Sequence, residues 1–242
     1  MKRFKFKEQI VFENSNYLAI NKPPGVSSLH ERIGLANSVF EQAKKYDGQL
    51  QLCHRLDKET SGVLLLSKNS DAYAHAAQAF EKRIVKKTYH AISHGIHSYD
   101  NFTVDLPLAT TRSGRSAINK QKGKPSKTTF NTLENFTHYT LISCSPESGR
   151  QHQIRIHLAS QNAPIAADEI YGGKMPFLSS FKKKFNLKKD SKERPMINRF
   201  ALHAYSLTIM DIDGTVLEIQ ADYPKDFKVF LSQLRKFDLP NY

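Results

Sequence analysis

The sequence predicts an α+β domain with a mixed, mainly antiparallel β-sheet flanked by helices, and three observations carry that expectation. Segments with a two-residue apolar alternation recur along the chain, with a smaller number of helical patterns between them. The strand patterns come in neighbouring pairs, such as 200–210 and 216–223 across the turn Asp211-Ile212-Asp213-Gly214, which favours antiparallel pairing. No internal repeat and no linker rich in Pro, Gly or Ser divides the 242 residues, so 1–242 read as one domain with basic loops near 110–127 and 177–194.

Residues 2–7 alternate Lys or Arg with Phe4 and Phe6, and an edge strand is expected there. Ile10-Val11-Phe12 and Tyr17-Leu18-Ala19-Ile20 read as a strand pair closed by the rigid turn Pro23-Pro24-Gly25. Over 38–46, Val39, Ala43 and Tyr46 fall at helical spacing. The apolar run Val63-Leu64-Leu65-Leu66 marks a central strand over 63–67. A helix over 71–83 should turn Ala72, Ala76, Ala79 and Phe80 inward, with Ser70 as its N-cap. Residues 86–92 alternate as a strand, and 128–133 with 139–144 as a hairpin. Residues 149–160 read as a helix entered at Gly149, with Ile154, Leu158 and His157 inward. The last helix begins near Pro224 and sets Phe227, Phe230, Leu231 and Leu234 on one face, closing the core.

With 36 Lys and Arg against 23 Asp and Glu, the chain carries a formal charge of +13, which attracts a polyanion. RNA or DNA is the simplest such partner, and an anionic membrane surface is the rival. The first residues hold no apolar stretch of signal-peptide length, and no segment approaches the ~20 apolar residues of a membrane span. A cytoplasmic protein is therefore expected. Two cysteines, Cys53 and Cys144, argue against a disulfide framework or a cysteine zinc site. His54, His152 and His157 invite a metal hypothesis, but the five-residue step from His152 to His157 does not put two ligands on one helix face, and no metal is expected.

Chemistry concentrates in His54-Arg55-Leu56-Asp57-Lys58-Glu59-Thr60-Ser61-Gly62, a charged loop leading into the apolar run. Asp57, with cations at 55 and 58 and hydroxyls at 60 and 61, is a carboxylate held ionised. Such a group serves as nucleophile, as general base or as half of an ion pair. Other motifs flank it in order: Asn21-Lys22-Pro23-Pro24-Gly25, Lys87-Thr88-Tyr89-His90-Ala91, Gly149-Arg150-Gln151-His152-Gln153-Ile154-Arg155-Ile156-His157-Leu158-Ala159, Asp168 with Tyr171-Gly172, and Leu202-His203-Ala204.

The nine-residue loop and this ordered set resemble the RluA-type pseudouridine synthases, in which the Asp of H-R-L-D-x-x-T-S-G is catalytic. The resemblance implies a single catalytic domain built on a large bisected sheet, acting as an isomerase on uridines of ribosomal or transfer RNA. It implies no cofactor, and a cytoplasmic monomer that processes RNA without a protein partner. Only 56 residues precede Asp57, so no N-terminal RNA-binding module is expected. By the same resemblance Asp57, Tyr89 and Arg155 are the catalytic residues, with Arg155 the bidentate partner of Asp57 and Arg150 the alternative. Tyr89 packs on the uracil or takes a proton, its plain alternative being a core tyrosine. Arg55 fills the gap left by the flipped nucleotide, Leu202 lines the uracil pocket, and Lys22, His54 and Arg150 bind substrate. Ala167 departs from the family, which has Gly before this Asp. The basic segments 110–127 and 177–194 read as loops touching phosphates. A non-catalytic RNA-binding or ribosome-assembly protein on the same fold is the alternative, and binding alone requires neither the intact loop nor Tyr89 and Arg155.

Overall fold

The computed structural model describes residues 4–29, 38–111, 115–187 and 191–240. In chain order its elements are β1 (Ile10–Glu13), β2 (Tyr17–Lys22), α1 (Val39–Tyr46), β3 (Gln51–Leu52), β4 (Ser61–Ser67), α2 (Ser70–Glu81), β5 (Lys86–His94) and β6 (Phe102–Asp105). They continue with β7 (Leu108–Thr110), β8 (Ser116–Ile118), β9 (Lys127–Asn135), β10 (Tyr139–Pro146), α3 (Gln153–Ser160), β11 (Leu202–Met210), β12 (Val216–Gln220) and α4 (Lys225–Phe237). The pairing is mixed and mainly antiparallel, as the sequence predicts. The chain divides into two compact units, Met1–Thr88 with His203–Tyr223, and Tyr89–Leu202 with Pro224–Tyr242.

In the first unit β4 is central. It pairs antiparallel with β2 and β3, and parallel with β11 at His203↔Ser61 and Ala204↔Gly62. All seven residues of β4 are buried, which is why this strand reads as an unbroken apolar run instead of an alternation. Val63 and Leu65 join Tyr17, Ala19, Leu207, Ile209, Leu217 and Ile219 in one core cluster. Ala72, Ala76 and Ala79 of α2 complete it, their short side chains letting the helix lie close on the sheet. The cap of α2 is Asn69, not Ser70: its side chain accepts from Ala72 N at 2.8 Å. Ser38 and Glu41 form a reciprocal capping box on α1. The expected edge strand over 2–7 is corrected. Phe6–Gln9 is a 3-10 turn with Phe6 buried against Tyr46, because one anchored ring decides the local structure over a weak alternation, and residues 2 and 3 lie outside the described residues.

In the second unit β5, β10, β9 and β6 pair antiparallel in that order, with Tyr89 opposite Cys144. α4 buries Phe227, Phe230, Leu231 and Leu234, as its spacing predicts. The two basic segments are more structured than loops. β8, within 110–127, pairs with β7, which ends at Thr110, as a small two-stranded sheet. Within 177–194, Phe181 is buried with its ring edge-on to Tyr139 at 6.1 Å. Arg112, Lys188 and Lys189 lie outside the described residues. The helix expected from Gly149 starts later, at Gln153, after His152 adopts a left-handed φ of 58°. Six consecutive residues of α3, Gln153 to Leu158, are buried, so the helix has no solvent stripe to betray its start.

Candidate active site

The signature loop is fixed on both sides of Asp57. Lys22, fully buried, donates through Nζ to the carbonyls of Pro23 (3.0 Å), Val26 (2.8 Å) and Lys58 (2.9 Å). Gly25 N donates to the same Lys58 carbonyl at 3.0 Å, with Gly25 at a φ of 78° that favours glycine. On the other side, Ser28 Oγ donates to Leu56 O at 2.8 Å and accepts from Leu56 N at 3.0 Å. The segment from Asn21 to Ser28 is thus a clasp on residues 56 and 58. Asp57 stands half-buried between them, and Thr60 N donates to its carbonyl at 3.1 Å. Lys22 is thereby a structural pin, since an ammonium enclosed by carbonyls is held inside.

The end of the loop is locked as tightly. His203 Nε2 donates to Ala221 O at 3.0 Å, so its Nδ1 accepts from the Ser61 hydroxyl at 2.9 Å. A Cβ on Gly62 would stand 2.1 Å from Ala204 O, a contact that only glycine allows. Two distant motifs, Thr60-Ser61-Gly62 and Leu202-His203-Ala204, are therefore joined through Ser61 and Gly62 with His203 and Ala204.

His54 also holds the loop. Its Nε2 accepts from Leu65 N at 3.0 Å, and its ring lies 5.0 Å from that of Phe80. Although part of the ring reaches the surface, burial, with Lys87 adding to it, pushes its pKa down to about 3, so it is a neutral acceptor. The bond to Leu65 N ties His54 to β4. Burial and the charge of Arg83 lower Lys87 to about 8. Arg55 is exposed, two residues before Asp57.

In the second unit Arg155 projects from α3 and is 3% exposed. Its Nε and Nη2 donate to Asp168 at 2.7 and 2.6 Å, and its guanidinium stands over the rings of Tyr171 (4.9 Å) and Phe200 (4.1 Å). The planar fork is taken by Asp168, a carboxylate that burial obliges to find a cation. Tyr171 is itself fixed, its hydroxyl donating to Ser116 O at 3.1 Å and bonding His152 Nδ1 at 2.8 Å. α3 is pinned to β9 by Gln153, which donates to Lys127 O and Thr128 Oγ1, and by His157, whose Nδ1 bonds Thr128 Oγ1. The three histidines of the metal hypothesis thus have separate polar partners.

Arg150 is half-buried, and its Nε is enclosed without a hydrogen-bond partner. Tyr89 is half-buried on β5 and Leu202 is 4% exposed at the start of β11. Sequence reasoning missed Arg199. Its Nε and Nη2 grip Asp226 at 2.8 and 3.0 Å while Nη1 donates to the carbonyls of Phe200 and Leu202, both at 3.3 Å. It fixes the backbone that carries Leu202 and the ring stacked on Arg155. The signal was available: Arg199 sits against the apolar Phe200-Ala201-Leu202, where a cation requires a partner.

A carboxylate on a clasped loop in one unit, and in the other a guanidinium held by a carboxylate and standing over two rings, are the groups that the sequence motifs single out. A profile of the RNA pseudouridylate synthase family matches residues 16–160. The ribosomal large subunit pseudouridine synthase C of Buchnera aphidicola subsp. Baizongia pistaciae (strain Bp) is 37% identical over 209 residues, 84% of this chain and 62% of that protein. The ribosomal large subunit pseudouridine synthase D of Nitrosomonas europaea is 33% identical over 241 residues, 94% of this chain and 65% of that protein. The chain spans less than two thirds of the length of these two relatives. Among solved structures, human RNA pseudouridylate synthase domain containing 4 superposes with a TM-score of 0.71 at 24% identity, covering 98% of this chain and 96% of the other, which shows the fold. A family profile over residues 16–160, which hold the signature loop, its clasp and α3, and relatives above 30% identity along most of the sequence make this chain a member of the RNA pseudouridylate synthase family.

Proposed function

We propose that this protein isomerises specific uridines to pseudouridine in ribosomal large-subunit RNA, acting in the cytoplasm as a single catalytic domain. The observation that carries the reading is the clasp on both sides of Asp57, which holds the backbone of one carboxylate by hydrogen bonds at residues 56 and 58. A group fixed in this way is preorganised for a reaction at one atom. The names of the relatives, both ribosomal large subunit enzymes, favour ribosomal over transfer RNA.

The target uridine must first leave the stack, and the exposed Arg55 takes its place. The bond from N1 of uracil to C1′ of ribose breaks, the ring turns, and C5 joins C1′. The proton at C5 is lost and N1 gains one, so the change is an isomerisation. Asp57 acts at the sugar, by attack on C1′ or by assisting loss of the C2′ proton to give a glycal. Tyr89 supports the base and receives a proton, Arg155 stabilises developing negative charge, and Leu202 walls the uracil. Arg150, half-buried, meets a phosphate oxygen through the exposed part of its side chain.

The test is tritium release from RNA labelled at C5 of uridine, using unmodified large-subunit ribosomal and transfer RNA. Release from the ribosomal pool is expected for the wild type and abolished in Asp57→Asn, with RNA affinity nearly unchanged. Release that persists in Asp57→Asn removes Asp57 from its role. Release from transfer RNA alone overturns the substrate assignment, and tight binding without release from either pool favours the non-catalytic binder.

A further inference from the structure

In the first unit an open cleft of about 400 Å³ borders the signature loop and is lined by Phe40 and Lys44 of α1, Gln51 and Leu52 of β3, Arg55 of the loop and Tyr73 of α2. Its volume lies in the range of sites for small ligands. Phe40 is half-buried and Tyr73 is 40% exposed, so both rings offer surface to an incoming group. Lys44 Nζ stands 5.5 Å from the centre of the Phe40 ring and donates to Gly48 O at 2.8 Å, which holds a positive charge at the lip. Among the described residues, the charged ones lining the cleft, Lys44 and Arg55, are both cations. Aromatic faces beside cations are the composition of surfaces that bind unpaired nucleotides, the ring stacking on the base and the cation meeting the phosphate. Gln51 adds an amide that can both donate to and accept from a base edge.

We propose that this cleft is a subsite for a second unpaired nucleotide of the RNA substrate, a neighbour of the target uridine. The inference rests on the proposed function and deepens it. Extruding one nucleotide unstacks its neighbours. Arg55 both lines the cleft and precedes Asp57 by two residues, so a nucleotide bound there lies beside the position where the duplex opens. Stacking a neighbour against Phe40 and Tyr73 offsets the loss of its former contacts and favours the open RNA over the closed one. The subsite thereby selects sequences whose flanking nucleotide is easily unpaired. Charge complementarity argues for RNA over a protein segment as the occupant, because an apolar peptide gains nothing from Lys44 and Arg55.

The experiment compares wild type, Tyr73→Ala, Tyr73→Phe and Lys44→Ala on an unmodified large-subunit ribosomal RNA transcript, by fluorescence anisotropy for binding and by tritium release for turnover. Thermal melting checks that each variant is folded, which the exposure of Tyr73 favours. Tyr73→Ala is expected to weaken binding about tenfold, the loss of one base stack, with the change in turnover falling on KM. Tyr73→Phe keeps the ring and should stay within about twofold of wild type. Lys44→Ala should reduce the slope of log affinity against log salt by about 0.7, one phosphate on a single strand. Wild-type affinity in Tyr73→Ala, or an equal loss in Tyr73→Phe, overturns the subsite, and so does a transcript that wild type does not bind. Tritium release by wild type reports on the reaction, and the difference between variants on the cleft, so each reading fails separately.

Discussion

Arg155 is held by more contacts than a surface arginine requires: a carboxylate takes two of its nitrogens and its guanidinium stands over two rings. A lysine at this position keeps the charge but loses the planar fork and the stacking. Arg155→Lys is therefore expected to lower kcat about 100-fold, since small misplacements of a catalytic group cost that much. Near-normal kinetics would move the role to Arg150. The residue before its partner Asp168 shows magnitudes in opposition. Ala167 has a φ of 62° and is 6% exposed. A left-handed alanine costs about 1–2 kcal/mol, whereas glycine here would lose a buried methyl (~0.8 kcal/mol) and gain chain entropy when unfolded (~0.4–1 kcal/mol). These contributions nearly cancel, which explains how this chain tolerates the departure from glycine. Ala167→Gly should stay within about 0.5 kcal/mol of wild type in urea denaturation, and Ala167→Val should lose more than about 2 kcal/mol, because a branched Cβ is a true outlier there. The motif singles out Arg155 but not Asp168, because this partner lies 13 residues on and only burial, which the sequence does not display, makes the pairing obligatory.

At the scale of elements, the motifs are joints between strands. The Asn21 to Ser28 segment clasps the loop, Ser61 and Gly62 seat β4 on β11, and Gln153 and His157 pin α3 to β9. β2, β4, α2, the β9–β10 hairpin and α4 were legible because each buries one clear apolar pattern. α3 was misread at its start and Phe6–Gln9 in kind, because polar pins and one buried ring decided those segments and neither has a period. The His54 joint also has a consequence in acid. Its pKa is about 3 in the folded chain, below the ordinary 6.5, so above 6.5 the folded and unfolded states are both neutral. As the pH falls from 6.5 towards 3, the unfolded chain binds a proton that the folded chain refuses, and stability falls. Burial lowers His94 and His157 in the same direction, so they add to the loss. His54→Gln supplies a neutral acceptor that does not titrate. The drop in urea midpoint between pH 7 and pH 5 should be smaller in this variant than in wild type, and an equal drop would show that His54 charges freely in the folded state.

At the scale of the whole molecule the dominant quantity is the formal charge of +13, legible at once from composition, as was attraction to a polyanion. Which polyanion the charge attracts was not legible, because that choice depends on surface shape. The structure does separate the basic residues by what holds them. Lys182 is half-buried with its ammonium 4.8 Å from the centre of the Phe237 ring, whereas Lys183 and Lys184 are exposed, as are Arg115, Lys120, Lys122 and Lys124. Packing on the Phe237 ring makes Lys182 part of the fold, so removing it costs stability. Replacing Lys183 and Lys184 by Ala should therefore lower RNA affinity and flatten the salt dependence by up to about 1.4 in the slope of log affinity against log salt, about 0.7 for each phosphate contact on a single strand. Lys182→Ala should change the slope less and the melting temperature more. Anisotropy titrations from low to physiological salt separate the two, and an unchanged slope in the double variant would make that cluster solvated surface, leaving the phosphate contacts to the cations around β7 and β8.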